Sequence, residues 1–322
     1  MTKSGFMKHI YLWLCIIYLA TGIANAQQTV DEEFFPGFES FNIETSGATI
    51  YGLKKGEGPA VLLIHGYPES HLEWHKIAPK LAEKFTVVVV DLRGYGSSSK
   101  PEDGNNHSGY SKREMAKDQV EVMRSLGFEH FNVVAHDRGA RVAHRMALDY
   151  PENVTKLITL DIVPTYDLYS TTDKAFASMY WHWFFLIQRA PLPETLLSTN
   201  AEFMLGERTF RGMVPNQIPE RIYEEYLKNF KNPATLHAMC EDYRAGASID
   251  MEQDEADLGK KVTCPMLVLW GARGAMEGNY DVLGIWRKRA SNVEGHSLPG
   301  GHWLPEQVPD LVYDEVINFI GD

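Results

Sequence analysis

The chain has 322 residues, with 31 Lys+Arg against 43 Asp+Glu and a formal net charge of −12. An acidic surface of this kind argues against nucleic acid as a partner, because phosphate contacts need clustered cations. It also offers no long-range attraction to anions, so any anion site has to be built locally. No metal-ligand spacing, internal repeat or low-complexity tract is present, so the expected partners are a small-molecule substrate and water, with no metal or other cofactor.

Residues 1–26 read as a signal peptide. Lys3 and Lys8 precede an apolar run at 10–20, and Ala24-Asn25-Ala26 offers an A-x-A cleavage site. The expected location is therefore an exported one, periplasmic or secreted. The run is short for a membrane span, with an uncleaved anchor as the alternative. No second long apolar run follows, so no stable span is expected after cleavage. Cleavage removes two lysines and no acid, which takes the charge from −12 to −14. Cys15 leaves with this segment, and Cys240 and Cys264 are expected as packed free thiols. The remainder suits one sizeable α/β domain with an insertion, large enough to need no disulfides. A homodimer is one assembly compatible with it.

Residues 41–45 and 49–54 read as an antiparallel opening hairpin. Apolar runs at 60–64, 86–90, 131–135, 156–160 and 266–270 read as strands buried on both faces. They alternate with helix-period segments at 72–85, 111–126 and 140–150. This alternation predicts an α/β fold with a doubly wound, mostly parallel sheet. From Pro164 to residue 258 strand character stops, and the segment is helical and aromatic, including Tyr180-Trp181-His182-Trp183-Phe184-Phe185. It is read as a cap, 164–258, inserted between two parts of one core, 27–163 and 259–322. Strand character returns at 262–270 and 292–298, and a helix at 309–320 closes the chain.

Ala135-His136-Asp137-Arg138-Gly139 follows the strand at 131–135 with the small-x-nucleophile-x-small spacing of a strand-to-helix elbow, and carries aspartate at the apex. A carboxylate there is ionised near neutral pH and attacks an sp3 carbon without first losing a proton. Displacement at carbon is expected, not acyl transfer. Asp161 ends the next strand, and His302 lies in Pro299-Gly300-Gly301-His302-Trp303 between the last strand and the last helix. The chain order is then nucleophile, acid, histidine. The plainer readings are a helix-capping Asp137 and a strand-end cap at Asp161. The usual alternative position for the acid, Gly271-Ala272-Arg273-Gly274-Ala275, has none, and Glu277 and Asp281 follow a little further on. After the first long strand comes His65-Gly66-Tyr67-Pro68. The backbone N–H groups of Tyr67 and Arg138 are expected to point at one oxygen of Asp137 as an oxyanion hole.

With these motifs the chain resembles the α/β-hydrolase superfamily over nearly its whole mature length. Within it, the resemblance is to the branch of haloacetate (fluoroacetate) dehalogenases and aspartate-nucleophile epoxide hydrolases. The closest likeness, to fluoroacetate dehalogenases, is carried by His136-Asp137-Arg138-Gly139-Ala140-Arg141, Leu160-Asp161-Ile162-Val163-Pro164-Thr165, Tyr180-Trp181-His182-Trp183 and Asp242-Tyr243-Arg244-Ala245-Gly246. The resemblance implies an α/β-hydrolase fold and hydrolytic dehalogenation of short haloacids through a covalent aspartyl ester. It implies Asp137 as nucleophile, His302 as base and Asp161 as its partner. It further implies Arg138 and Arg141 as clamps on the substrate carboxylate, and His182, Trp183 and Tyr243 as the halide pocket. Electrostatics agrees: two unit charges about 4 Å apart repel by roughly 4 kcal/mol at an effective dielectric near 20, so an anionic nucleophile needs nearby cations to accept an anionic substrate. Arg138 and Arg141, three apart at the start of one helix, share a face and can fork onto a carboxylate.

The chain departs from that pattern in having no tryptophan at 203–218, where fluoroacetate enzymes carry a further pocket tryptophan. Export, and Val293-Glu294-Gly295-His296-Ser297-Leu298 leading into Gly301-His302-Trp303-Leu304-Pro305-Glu306, resemble secreted epoxide hydrolases instead. There a cap His/Tyr pair protonates the epoxide oxygen, a role His182 and Tyr243 suit equally, so an epoxide hydrolase on the same triad is the alternative. A non-catalytic hydrolase-fold binding module is disfavoured by the complete triad, and a serine esterase by the lack of a G-x-S-x-G after a strand.

Overall fold

The computed structural model describes residues 29–321, and the expected signal peptide lies outside them. Two compact units divide at Phe38. In the described part of the first, a helical turn runs through residues 29–34, and Phe35 and Phe38 meet edge to face with ring centroids 5.5 Å apart.

The second unit carries eight strands: β1 (Glu39–Glu44), β2 (Thr49–Lys55), β3 (Ala60–Ile64), β4 (Thr86–Val90), β5 (Phe131–His136), β6 (Val154–Leu160), β7 (Met266–Gly271) and β8 (Val293–Leu298). They form one sheet in the order β1-β2-β4-β3-β5-β6-β7-β8. The β1–β2 and β2–β4 pairings are antiparallel and all the others are parallel. Every residue of β3, β4 and β5 is buried, which is why these strands read as mainly apolar runs without the regular polar alternation of a half-exposed strand. The edge strand β8 alternates between half-buried and exposed instead. After β3 the chain passes to β4 on one side, then to β5 on the other. The carboxyl ends of β3 and β5 therefore flank the point where strand order reverses, the place where open α/β sheets leave a crevice.

Helix α1 (Lys112–Ser125) starts at an N-cap in which Ser111 Oγ accepts from the Glu114 N–H at 3.3 Å. Helix α2 (Asp137–Asp149) begins three residues before the expected 140, at Asp137 itself. The helix expected over 72–85 is instead a 3₁₀ turn, His71–Lys76, followed by the short helix Ala78–Leu81. The cause is Pro79: without an N–H, and with a ring that clashes one turn back, it is tolerated in the first turn of a new helix but not inside a continuous one.

Between β6 and β7 the described backbone includes α3 (Trp181–Leu186), α4 (Glu220–Lys231), α5 (Pro233–Gly246) and α6 (Ile249–Ala256), with a π-helical turn at Phe203–Thr209 and other short helices. Arg145 of α2 ties this insertion down through Asp254 (2.6 Å) and Asp257 (2.7 Å). After β7 come α7 (Val282–Arg289) and α8 (Pro309–Ile320). No helix among the described residues is long and apolar enough to cross a membrane. Cys240 and Cys264 are free thiols, and burial pushes the Cys240 thiol up to about 12.

Candidate active site

Asp137 occupies the sharp turn from β5 into α2 with φ of +42°, a left-handed conformation that costs a non-glycine residue roughly 1–3 kcal/mol. The tightness of the turn dictates its neighbours. A Cβ on Gly139 would sit 2.4 Å from the His65 carbonyl oxygen and 2.6 Å from that of Ile64, and backbone cannot yield. A Cβ on Gly66 would sit 2.9 Å from Asp137 Cβ. Without side chains at either glycine, the His65-Gly66-Tyr67 backbone lies against the Asp137 turn, and the Tyr67 N–H donates to Asp137 Oδ2 at 3.2 Å. The Arg138 N–H belongs to the first turn of α2, where N–H groups have no helical partner. The Tyr67–Pro68 peptide is cis.

Asp161 follows β6 directly, also with positive φ (+53°). Its Oδ1 accepts from the Gly271 N–H at 2.9 Å, and its Oδ2 accepts from His302 Nδ1–H at 2.6 Å. With Nδ1 engaged by Asp161, the other ring nitrogen, Nε2, is left for a different partner. Of the competing acids, Glu277 bonds the Trp270 indole N–H and Asp281 caps α7 through the Gly284 N–H at 3.0 Å. Neither meets His302.

Asp137, His302, Tyr67, His182, Trp183 and Tyr243 line one cavity of about 330 Å³. Burial alone would raise the Asp137 carboxyl, but His302, His136, Arg141 and Arg138 outweigh it and hold the group below its ordinary value, ionised at neutral pH. Burial lowers His182 to about 4, so it meets the cavity as a neutral imidazole. Trp183 and Tyr243 pack edge to face at 5.7 Å.

The two arginines depart from the expected paired fork. Both are buried, and neither guanidinium is spread across the cavity wall. Arg138 points its fork at Asp242 of α5: Nε donates to Oδ2 at 3.0 Å, and Nη2 to Oδ1 at 2.7 Å and to the Asp242 carbonyl at 2.6 Å. Its guanidinium carbon lies 4.2 Å from the Tyr243 ring centre. Arg141 Nη1 donates to the Val163 carbonyl at 2.9 Å and to Thr165 Oγ1 at 3.2 Å, and its guanidinium carbon lies 4.6 Å from the Trp183 ring centre. What remains is one buried, unpartnered nitrogen on each: Arg138 Nη1 and Arg141 Nε.

Sequence reasoning left two supports unassigned. Asp242 is fully buried and also receives Lys112 Nζ and the Tyr95 hydroxyl (2.6 Å), so one carboxylate joins α1, α2 and α5. Its adjacency to Tyr243 was the only signal; Lys112 reads as a surface lysine opening a helix. His136 lies beneath His302, its Nε2–H donating to the His302 carbonyl at 2.9 Å and its Nδ1 2.7 Å from Glu73 Oε1. Burial opposes its charge, but Glu73 prevails and raises His136 to about 9, making it an imidazolium that pins the His302 backbone. Glu69, Glu73 and His136 could hold a metal ion by their spacing, as could Asp103, His237 and Glu241. Ion pairs also account for both groups: His136 with Glu73, and His237 with Asp103 and Glu194, each of these two at 3.0 Å.

The alpha/beta hydrolase fold family matches residues 59–308 of this chain. A fluoroacetate dehalogenase from Burkholderia sp. is 44% identical over 295 residues, covering 89% of this chain and 95% of its own. A soluble epoxide hydrolase from Corynebacterium sp. (strain C12) is 32% identical over 283 residues, covering 85% and 94%. Among solved structures, one from Nostoc sp. PCC 7120, described as an alpha/beta hydrolase, superposes with a TM-score of 0.87 at 53% identity and covers 89% of this chain and 99% of its own. The chain belongs to the α/β-hydrolase family, in the branch that holds fluoroacetate dehalogenases and epoxide hydrolases, and is a hydrolytic enzyme.

Proposed function

We propose that this hydrolase displaces halide from short haloacids through an ester on Asp137. The observation that carries the reading is the pair of guanidinium groups beside the nucleophile, each with one buried nitrogen that meets no protein acceptor. A buried cationic donor left unpaired is costly, and a small turn of either guanidinium toward the cavity lets a substrate carboxylate supply its partner. The positive charge also offsets repulsion between that carboxylate and Asp137.

In the first step a carboxylate oxygen of Asp137 forms a bond to the halogen-bearing carbon, and the carbon–halogen bond breaks with its electron pair leaving on halide. His182, Trp183 and Tyr243 donate N–H and O–H groups to the departing ion. In the second step His302 Nε2 takes a proton from water as the water oxygen attacks the Asp137 ester carbonyl. Asp161 stabilises the resulting imidazolium, and the Tyr67 and Arg138 N–H groups hold the oxyanion. Collapse breaks the bond between the carbonyl carbon and the substrate oxygen, which leaves as the hydroxyacid carrying one proton of the water, and the His302 imidazolium passes the other to solvent, restoring the Asp137 carboxylate and neutral His302.

Epoxide opening is the second reading, favoured by His182 and Tyr243 together in the cavity, two neutral donors suited to a developing alkoxide. One experiment separates them. His302→Gln, exposed to chloroacetate and in parallel to styrene oxide, is digested and the Asp137 peptide is weighed. Attack proceeds while water activation is lost, so a peptide heavier by a carboxymethyl group is expected with chloroacetate. A stable adduct from styrene oxide alone selects the epoxide reading, and an unmodified peptide with turnover retained refutes Asp137 as nucleophile.

A further inference from the structure

The cavity is too large for a two-carbon acid. Its volume of about 330 Å³ lies at the lower end of the roughly 300–1,000 Å³ range of pockets that hold drug-sized ligands. A haloacetate ion has five non-hydrogen atoms. Of its lining, Asp137 is buried and His302 half-buried, Leu197, Met204 and Phe230 are apolar, and Arg208 and Arg211 are exposed to solvent. Both arginines come from the π-helical turn Phe203–Thr209 and the turn after it, the stretch without a tryptophan. Arg208 lies 5.9 Å from the Trp181 ring centre, and among the described residues neither arginine meets a carboxylate. In a chain with 43 acids against 31 cations, two unpaired guanidinium groups at one cavity mouth form a local anion site on a surface that otherwise repels anions.

We propose that Arg208 and Arg211 form an outer anion subsite and that the preferred substrate is a dianion, a haloacid whose apolar chain spans the cavity and whose second carboxylate rests on these arginines. The inference rests on the haloacid reading for the inner end. Guanidinium groups suit a carboxylate by their planar fork, and their exposure limits the gain, because salt and solvent screen it.

The test pairs acids of equal length with one or two carboxylates. Binding of adipate and hexanoate is followed by tryptophan fluorescence, and chloride release is measured from 2-chloroadipate and 2-chlorohexanoate, with wild type and Arg208→Gln/Arg211→Gln. Wild type is expected to favour the dianion about three- to tenfold in both assays, through Kd and KM, with the ratio shrinking in high salt. In the double variant the ratio falls to near one. A wild-type ratio of one, or a ratio unchanged in a variant with native circular dichroism, overturns the subsite. Adipate preference with no chloride release from either acid overturns the haloacid reading and keeps the subsite. Chloride release with no adipate preference does the reverse.

Discussion

Replacing Asp242 by Asn tests the Arg138 network directly. The carboxylate is fully buried and receives two buried cations, Arg138 through two contacts of 2.7 and 3.0 Å and Lys112 through its Nζ, together with the Tyr95 hydroxyl. Asn keeps the volume but removes the charge and turns one acceptor into a donor facing donors. Breaking a buried pair from one side costs about 3–5 kcal/mol because the partner stays buried and uncompensated. For a domain of this size that lowers Tm by roughly 10 °C. Burial opposes ionisation of Asp242, but Arg138 and then Lys112 outweigh it and hold the carboxyl well below the usual carboxylate range. A depressed carboxyl stabilises the fold above its unfolded value, near 3.9, and that contribution is lost as pH falls toward the folded value. Urea unfolding from pH 3 to 8 should therefore show a constant gap between wild type and Asp242→Asn above about pH 5 and a shrinking gap below about pH 4. With Arg138 released from its anchor, KM for chloroacetate should rise more than kcat falls. A gap under about 1 kcal/mol at pH 7, or one that persists undiminished in acid, would refute the reasoning.

Gly139→Ala should abolish soluble, active protein or cost about 3 kcal/mol or more, because its Cβ would stand 2.4 Å from a backbone oxygen; wild-type chemical stability would contradict this. Burial raises Glu306, paired with the buried Glu69, above its ordinary value, so the stability linked to its protonated form is present below the unfolded value and lost as pH rises through the folded one. Glu306→Gln should flatten that alkaline loss, measured as the difference in unfolding free energy between pH 5 and pH 8, and an identical pH dependence in the variant would rule the idea out. Tyr243→Phe deletes one donor from the cavity and keeps the ring. It should slow fluoroacetate far more than bromoacetate, whose carbon–halogen bond is weaker. An unchanged ratio alongside rapid epoxide turnover by wild type would favour ring opening.

The sequence by itself determined the pieces that depend on local pattern. Strands buried on both faces announce themselves as Val/Ile/Leu runs, and β3 to β7 appear where those runs stand. The small residues around Asp137, the chain order through Asp161 to His302 and the turn at Tyr67 are equally local, since each follows a strand that the pattern already placed. Pro79 marked a break that periodicity alone reads through as one helix. Tertiary structure decided which long-range partner each charge finds. Residues 138 and 242 are distant in sequence, and nothing in either neighbourhood states that the Arg138 fork closes on Asp242 while Arg141 bonds the Val163 carbonyl. The burial of Lys112, the charge on His136 and the space left where no tryptophan stands were decided in the same way. Strand and elbow geometry follow from short-range sterics, whereas ion pairing, proton affinity and cavity volume depend on which surfaces meet and how much water they exclude.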